Sequence, residues 1–310
     1  MDDNNQMEHM KAATDNQLTN SELVSVKLKT LVALAQKASA LNLRHDQIRS
    51  GQSGGYLSRF KGRGMEFDES RLYQPGDDIR SIDWKVTART DMPHTKIFRE
   101  ERERPVFISV DYRRAMAFAT RGVFKSVQAA KLAALLAWAA QQHGDRIGGQ
   151  IFGDHSCLEL KPQNGKHAVL RLFNALVSPN FTVNSDNMTL ERVLSRLLQH
   201  ARPGSLVYII SDFRGLDEKS ETHLLKLARH CEVALIHVYD PLESHLPAKG
   251  CYRFTDERRD IVIDTGDKQR ILGYQQRFQQ RLEHLQHLCQ KPGLTLLNCS
   301  TADDPLEVFR

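Results

Sequence analysis

Apolar and polar positions alternate in three textures along the 310-residue chain. Residues 1–20 carry few apolar positions and no period, the pattern of a disordered tail. Asn20 or Ser21 then stands where a helix cap is expected, and the helix runs over Glu22–Leu41. Its Val24, Leu28, Leu31, Ala35 and Ala38 fall on one face. Ser50–Gly55 reads as a loop. Residues 56–104 are dense in Gly, Arg, Asp and aromatics with no long amphipathic run. They predict short strands and turns, with Pro75-Gly76-Asp77-Asp78 as a turn signal.

From Pro105 a regular alternation begins. The strands predicted are Val106–Val110, Arg146–Phe152 with a hairpin partner at Cys157–Leu160, Ser205–Ile210, Val233–Tyr239 and Leu294–Leu297. Helices are predicted over Phe124–His143, Lys166–Val177, Leu190–Ala201, Glu218–His230 and Gln269–Gln290. Continuously apolar strands between helices require a parallel sheet covered on both faces. The fold class is therefore α/β: a doubly wound, mostly parallel sheet, with a small irregular β-rich N-terminal lobe and an N-terminal helix. The expected organisation is a tail (1–20), helix plus lobe (21–104) and the α/β domain (105–310).

Composition narrows the function classes. Hydrophobic residues are 40% and charged residues 26%, a soluble globular profile. The longest strictly apolar run, Leu132–Ala140, is far short of the roughly 20 residues of a membrane span. Nor do the first residues carry a signal-peptide h-region. A cytoplasmic location is expected, with no direct membrane span. Lys plus Arg total 43 against 38 Asp plus Glu, a diffuse +5. Arg and Glu interleave over Arg99–Arg104, so no nucleic-acid partner is expected. Five cysteines without a CxxC pair read as free thiols.

In a doubly wound sheet, chemistry gathers at the carboxyl ends of the strands. Three predicted strands end in acid: Asp111, Asp212 and Asp240. Asp111 and Asp212 directly follow buried-type runs and are expected to converge. Two converging carboxylates require a cation or hydrogen-bond donors. The competing reading makes both of them helix caps, Asp212 especially, ahead of the helix at Glu218.

The order Asp111-Tyr112-Arg113-Arg114-Ala115, with the later Ser211-Asp212, resembles a von Willebrand factor A domain. That resemblance implies a Mg²⁺ site built from Asp-x-Ser-x-Ser, a loop Thr and a later Asp. Here Arg113 and Ala115 stand where serines would, and Lys161–Gly165 offers no Thr. A guanidinium from Arg113 or Arg114 is expected to pair with Asp111 and Asp212 in the cation's place. The expectation is a degenerate metal site and no cofactor, with Mg²⁺ at Asp111 and Asp212 as the metal to test.

A second string sharpens the resemblance. It comprises Gly62-Arg63-Gly64-Met65-Glu66-Phe67, then Arg71-Leu72-Tyr73-Gln74-Pro75-Gly76-Asp77-Asp78-Ile79-Arg80-Ser81-Ile82-Asp83-Trp84-Lys85, then Ala88-Arg89. It resembles the signature of the MoxR-associated domain-of-unknown-function family fifty-eight, in which such a string precedes a von Willebrand A-like domain. Leu72 departs from the family's usual Glu, and the N-terminal membrane helices of many members are missing here. The resemblance implies a partner of MoxR-type AAA+ ATPases, or of other von Willebrand A-domain proteins, in protein assembly or maturation. The expected binding surface is Asp111, Arg113, Arg114 and Asp212, with the basic pair favouring an acidic partner.

Physically, the string mixes acids (Asp77, Asp78, Asp83) with arginines (Arg71, Arg80, Arg89), which can fix a compact loop by ion pairing. Gly62, Gly64 and Gly76 supply unusual backbone angles. Phe67, Tyr73 and Trp84 are expected as apolar anchors.

Competing motifs are weaker. Gly51-Gln52-Ser53-Gly54-Gly55 matches a nucleophile elbow but lacks the strand before it and the helix after it. Asp77 with Asp83-Trp84-Lys85 resembles a metal-dependent nuclease pattern at short spacing, and gives the alternative function, a metal-dependent hydrolase or nuclease. His284 and His287, near Cys289, form a two-ligand zinc face with no third ligand. A P-loop is absent. The expectation is a non-enzymatic interaction module.

Overall fold

A six-stranded sheet in the order β10-β7-β6-β3-β4-β5 organises the larger part of the chain in a computed structural model. The strands are β3 (Pro105–Asp111), β4 (Arg146–Phe152), β5 (Cys157–Gln163), β6 (Leu206–Ser211), β7 (Glu232–Tyr239) and β10 (Leu294–Ser300). All neighbours pair in parallel except β4 and β5, the hairpin anticipated from the sequence. The structure describes residues 21–41, 65–100, 105–179, 187–245, 250–255, 260–264 and 268–309.

The central strands are buried on both faces because helices cover both. One core joins Val106, Ile108 and Tyr208 to α4 (Lys125–Gln142) and α5 (Lys166–Val177). The other joins Phe107, Val207 and Leu235 to α6 (Leu190–His200), α7 (Glu218–Ala228) and α9 (Lys268–Leu288). α4 lies so deep that Leu132–Ala140 is buried throughout, which explains a run apolar on every side. Gly149 is fixed by close approach: a Cβ there would stand 2.0 Å from the Ile108 carbonyl oxygen on β3.

The N-terminal helix is interrupted. A helical turn at 21–24 is followed by α1 (Leu28–Ala33) and α2 (Ala35–Ala38), with Lys27 extended between. Leu31 and Ala38 are buried, but Val24 and Leu28 are exposed, so one continuous apolar face does not form. Trp138 Nε1 donates to the Leu31 carbonyl at 3.1 Å, and Gln142 Nε2 to that of Ala35 at 3.2 Å. This segment thus folds with the α/β unit.

The second unit, within residues 65–100, is built on the antiparallel hairpin β1 (Met65–Leu72) and β2 (His94–Glu100), with α3 (Trp84–Thr90) between them. Gly76 at φ +109° and the Asp77 amide to the Gln74 carbonyl (3.0 Å) make the anticipated Pro-Gly turn. The remaining elements are α8 (Pro241–Ser244) and a hairpin of β8 (Cys251–Thr255) with β9 (Asp260–Asp264), which the sequence pattern did not suggest.

Candidate functional site

β3 ends in Asp111, fully buried, and the chain turns back on it at once. Asp111 Oδ1 accepts from the Arg113 amide at 2.9 Å. The Arg113 guanidinium then returns to the same carboxylate, with Nε 3.1 Å from both oxygens and Nη2 2.7 Å from Oδ2. Its Nη1 donates to the Arg214 carbonyl at 3.0 Å, and its Cζ lies 5.6 Å from the Phe152 ring centroid. From β6, the Ser211 hydroxyl donates to Asp111 Oδ2 at 2.6 Å.

Asp212 follows in a tight loop that holds the buried Phe213 at φ +52° and Gly215 at +82°. A bulky residue with positive φ at a strand end marks local strain. Asp212 does not cap α7; Asp217 does, accepting from the Ser220 amide at 2.8 Å. Asp212 Oδ2 instead accepts from Lys125 Nζ at 3.0 Å, with Arg214 Nε 3.3 Å away. Lys125 is the first residue of α4 and has no exposed surface. Its second partner is Glu243 Oε1 at 2.9 Å, which also accepts from Arg214 Nη2 at 2.6 Å. Glu243 is presented by α8 through a capping box with Asp240.

Asp111 and Asp212 therefore converge as expected, and Arg113 stands on Asp111 as expected. Arg113 Nη2 is 3.9 Å from Asp212, a secondary contact. Arg114 does not join the cluster. Its side chain is exposed, its amide donates to Asp154 Oδ2 at 3.0 Å, and its carbonyl accepts from the Ala117 amide at 3.0 Å. Lys125, Arg214 and Glu243 were not anticipated. The Asp240-Pro241-Leu242-Glu243 capping-box spacing was the readable signal for Glu243. Asp240 itself is structural: it accepts from the Thr120 amide (2.7 Å) and hydroxyl (2.5 Å) and the Thr301 hydroxyl (2.9 Å).

Burial pushes the Asp111 carboxyl up against the pull of Arg113. At Asp212 burial acts the same way but is outweighed by Lys125 and Arg214, which hold it below the usual carboxylate range. Three carboxylates thus meet three cations at one sheet edge. Beside them opens a pocket of about 430 Å³, lined among others by Arg113, Arg114, Asp154, His155, Thr189 and Asp217.

In the signature lobe, Asp77 accepts from Arg71 Nη2 at 2.8 Å and the Gln74 amide at 2.9 Å. Asp78 accepts from the Arg80 amide. Asp83 caps α3 through the Lys85 and Val86 amides and accepts from the Ser70 hydroxyl at 3.1 Å. Among the described residues, Arg71–Asp77 is the ion pair made from the expected set; the Arg80 and Arg89 side chains are exposed. Trp84 is 68% exposed and Tyr73 is half-buried. Gly62, Gly64 and the Gly51–Gly55 motif lie outside the described residues, and Glu66 and Phe67 are placed on β1 by backbone alone.

His284 Nε2 bonds Glu221 Oε1 at 2.8 Å. Among the described residues no three His, Cys, Asp or Glu stand together in metal-holding geometry. Cys231 and Cys299 are buried, and Cys157 and Cys289 are half-buried; the Cys231 thiol donates to the Arg202 carbonyl at 3.3 Å.

The mixed α/β fold with a mostly parallel six-stranded sheet defines the class. The chain belongs to the family described as "Protein of unknown function DUF58", whose model matches residues 69–284. Uncharacterized protein Rv1480 of Mycobacterium tuberculosis and uncharacterized protein Mb1516 of Mycobacterium bovis are each 32% identical to it over 212 residues. That stretch is 67% of this chain and 66% of theirs, so the chain spans about two thirds of their length.

Among solved structures, the conserved hypothetical protein BatB from Bacteroides thetaiotaomicron is similar at TM-score 0.40 and 15% identity, over 61% of this chain and 100% of that one. An aerotolerance-related membrane protein from Bacteroides fragilis is similar at 0.43 and 13%, over 66% and 94%. An uncharacterized membrane spanning protein from Vibrio fischeri reaches 0.25 and 13%, over 65% and 92%. Two of these proteins are described as membrane proteins, so the cytoplasmic location expected from the sequence is not carried forward. Among the described residues no helix is long and apolar enough to cross a membrane.

Proposed function

We propose that this chain is a non-enzymatic protein-interaction module whose α/β unit is von Willebrand A-like. Its partner is a MoxR-type AAA+ ATPase, or another von Willebrand A-domain protein, in protein assembly or maturation. Contact is made at the carboxyl-edge crevice. The strand order β10-β7-β6-β3-β4-β5, with one antiparallel edge strand, supports the fold reading. The resemblance of the signature string supports the ATPase.

One observation carries the proposal: every carboxylate of the cluster is matched by a cation from the chain itself. Arg113 is on Asp111, and Lys125 and Arg214 are on Asp212 and Glu243. A matched, buried cluster beneath an open pocket suits recognition better than chemistry. It also does not suit Mg²⁺, which needs near-octahedral oxygen ligation. The Asp111 and Asp212 oxygens already accept from Arg113, Ser211, Lys125 and Arg214, so the metal site is read as degenerate. With Arg113 engaged internally, the exposed Arg114 at the pocket is the residue that meets an acidic partner side chain.

The hydrolase alternative draws no support from the lobe, whose Asp77 and Asp83 are engaged by Arg71 and by helix-capping amides.

Affinity capture of the tagged chain from its own cell extract, read by mass spectrometry, tests the reading. Recovery of a MoxR-type ATPase, lost in Arg114→Glu, is expected. Recovery without any AAA+ ATPase, or unchanged by Arg114→Glu, would contradict it.

A further inference from the structure

Lys125 is the unexplained residue of this site. A lysine at the first position of a helix meets the positive end of the helix dipole, and the first turn of α4 carries no acid to offset it. The side chain is nonetheless fully buried. A buried ammonium is tolerated only where carboxylates compensate it. Here two do, at 3.0 Å (Asp212, just after β6) and 2.9 Å (Glu243, on α8). The ammonium sits where a small cation shared by those two acids would sit.

We propose that Lys125 is a built-in counter-cation, a tethered ammonium in place of a dissociable ion, and that deleting it turns Asp212 and Glu243 into a divalent-cation site. The tether fixes the carboxyl edge without any ion that could be chelated or exchanged. Truncating Lys125 to alanine leaves two buried acids that share one remaining cation, Arg214, and carry one uncompensated negative charge beside the space that the lysine stem and ammonium filled. Ca²⁺ accepts oxygens at roughly 2.3–2.6 Å in flexible geometry, so small inward shifts of the two carboxylates suffice, with water completing the shell. The inference rests on the crevice described above, but not on its partner.

The test is thermal unfolding of the full chain in EDTA and in millimolar Ca²⁺ or Mg²⁺. The wild-type protein should melt at the same temperature in both. Lys125→Ala should melt about 10 °C lower in EDTA and regain several degrees with the cation. Lys125→Ala/Asp212→Asn should show no cation effect. A cation-stabilised wild type, or a Lys125→Ala variant indifferent to the cation, would overturn the proposal. Should Lys125→Ala not fold, Lys125→Met and Lys125→Met/Glu243→Gln decide. The double variant restores charge balance and should express as the more stable protein; if it is no better, the counter-cation role is wrong. Failure of the partner reading would appear as lost ATPase capture with these melting shifts intact.

Discussion

Two regions of this chain use the same residue types to opposite effect. The signature lobe and the strand-end cluster both set Asp against Arg at short spacing. In the lobe the Arg71–Asp77 pair is partly open to water, and Asp78 and Asp83 serve backbone amides. At the sheet edge, Asp111, Asp212 and Lys125 have essentially no exposure; Arg113 pairs with Asp111, and Lys125 and Arg214 are shared by Asp212 and Glu243. Burial, not the acid–base pattern, separates a pair that merely decorates a loop from one whose loss leaves an uncompensated charge.

The sharpest way to break that contrast is to remove one cation from each region. Lys125→Met should cost about 3–5 kcal/mol of stability in urea unfolding, the usual penalty for orphaning a buried charge. Arg71→Met should leave the midpoint nearly unmoved. Comparable losses would erase the distinction.

Next in size is a pH effect beside the cluster. His237 on β7 is buried among Phe213, Tyr239 and Phe278, bonded through Nδ1 to Asn298, and faces Asp212, Glu243 and Arg281. Burial lowers its pKa from 6.5 to about 4. Above pH 6.5 it is neutral in both states. As pH falls from 6.5 toward 4, the unfolded chain takes the proton first, and stability declines. The loss approaches about 3 kcal/mol over that window. His237→Gln should flatten the fall of the melting temperature there; parallel curves would refute it.

The outer edge of the same site gives a smaller effect. Arg114→Glu should weaken partner binding about tenfold without lowering the melting temperature. An accompanying loss of stability would place Arg114 with the inner cluster. Smallest of all, Asp83→Ala removes the α3 cap. Its effect should stay within the lobe, seen as faster amide exchange in α3 with β3 and β6 unchanged.

Much of the α/β unit was legible because its strands are continuous apolar runs and its helices end at clear signals. Arg146–Phe152 and Lys166–Val177 form where the pattern puts them. Arg113 on Asp111 was legible because only Tyr112 stands between them. The rest of the site was not. Lys125 meets Asp212 across 87 positions and Glu243 across 118, distances at which periodicity carries no information. Lys125 stands at the start of an apolar helix with no local signal that marks it. The break near Lys27 was hidden for a similar reason: Leu31 and Ala35 are tied to Trp138 and Gln142 of α4, contacts that helical spacing within 22–41 cannot show.

The central claim, that the edge holds itself together inside and recognises its partner outside, is tested most directly with two purified proteins. The chain and the MoxR-type ATPase of the same organism would be titrated by calorimetry, with wild type and Arg114→Glu melted in parallel. The account predicts measurable binding by wild type, about tenfold weaker binding by Arg114→Glu, and equal melting temperatures. No binding by wild type, or equal binding by both, would contradict it.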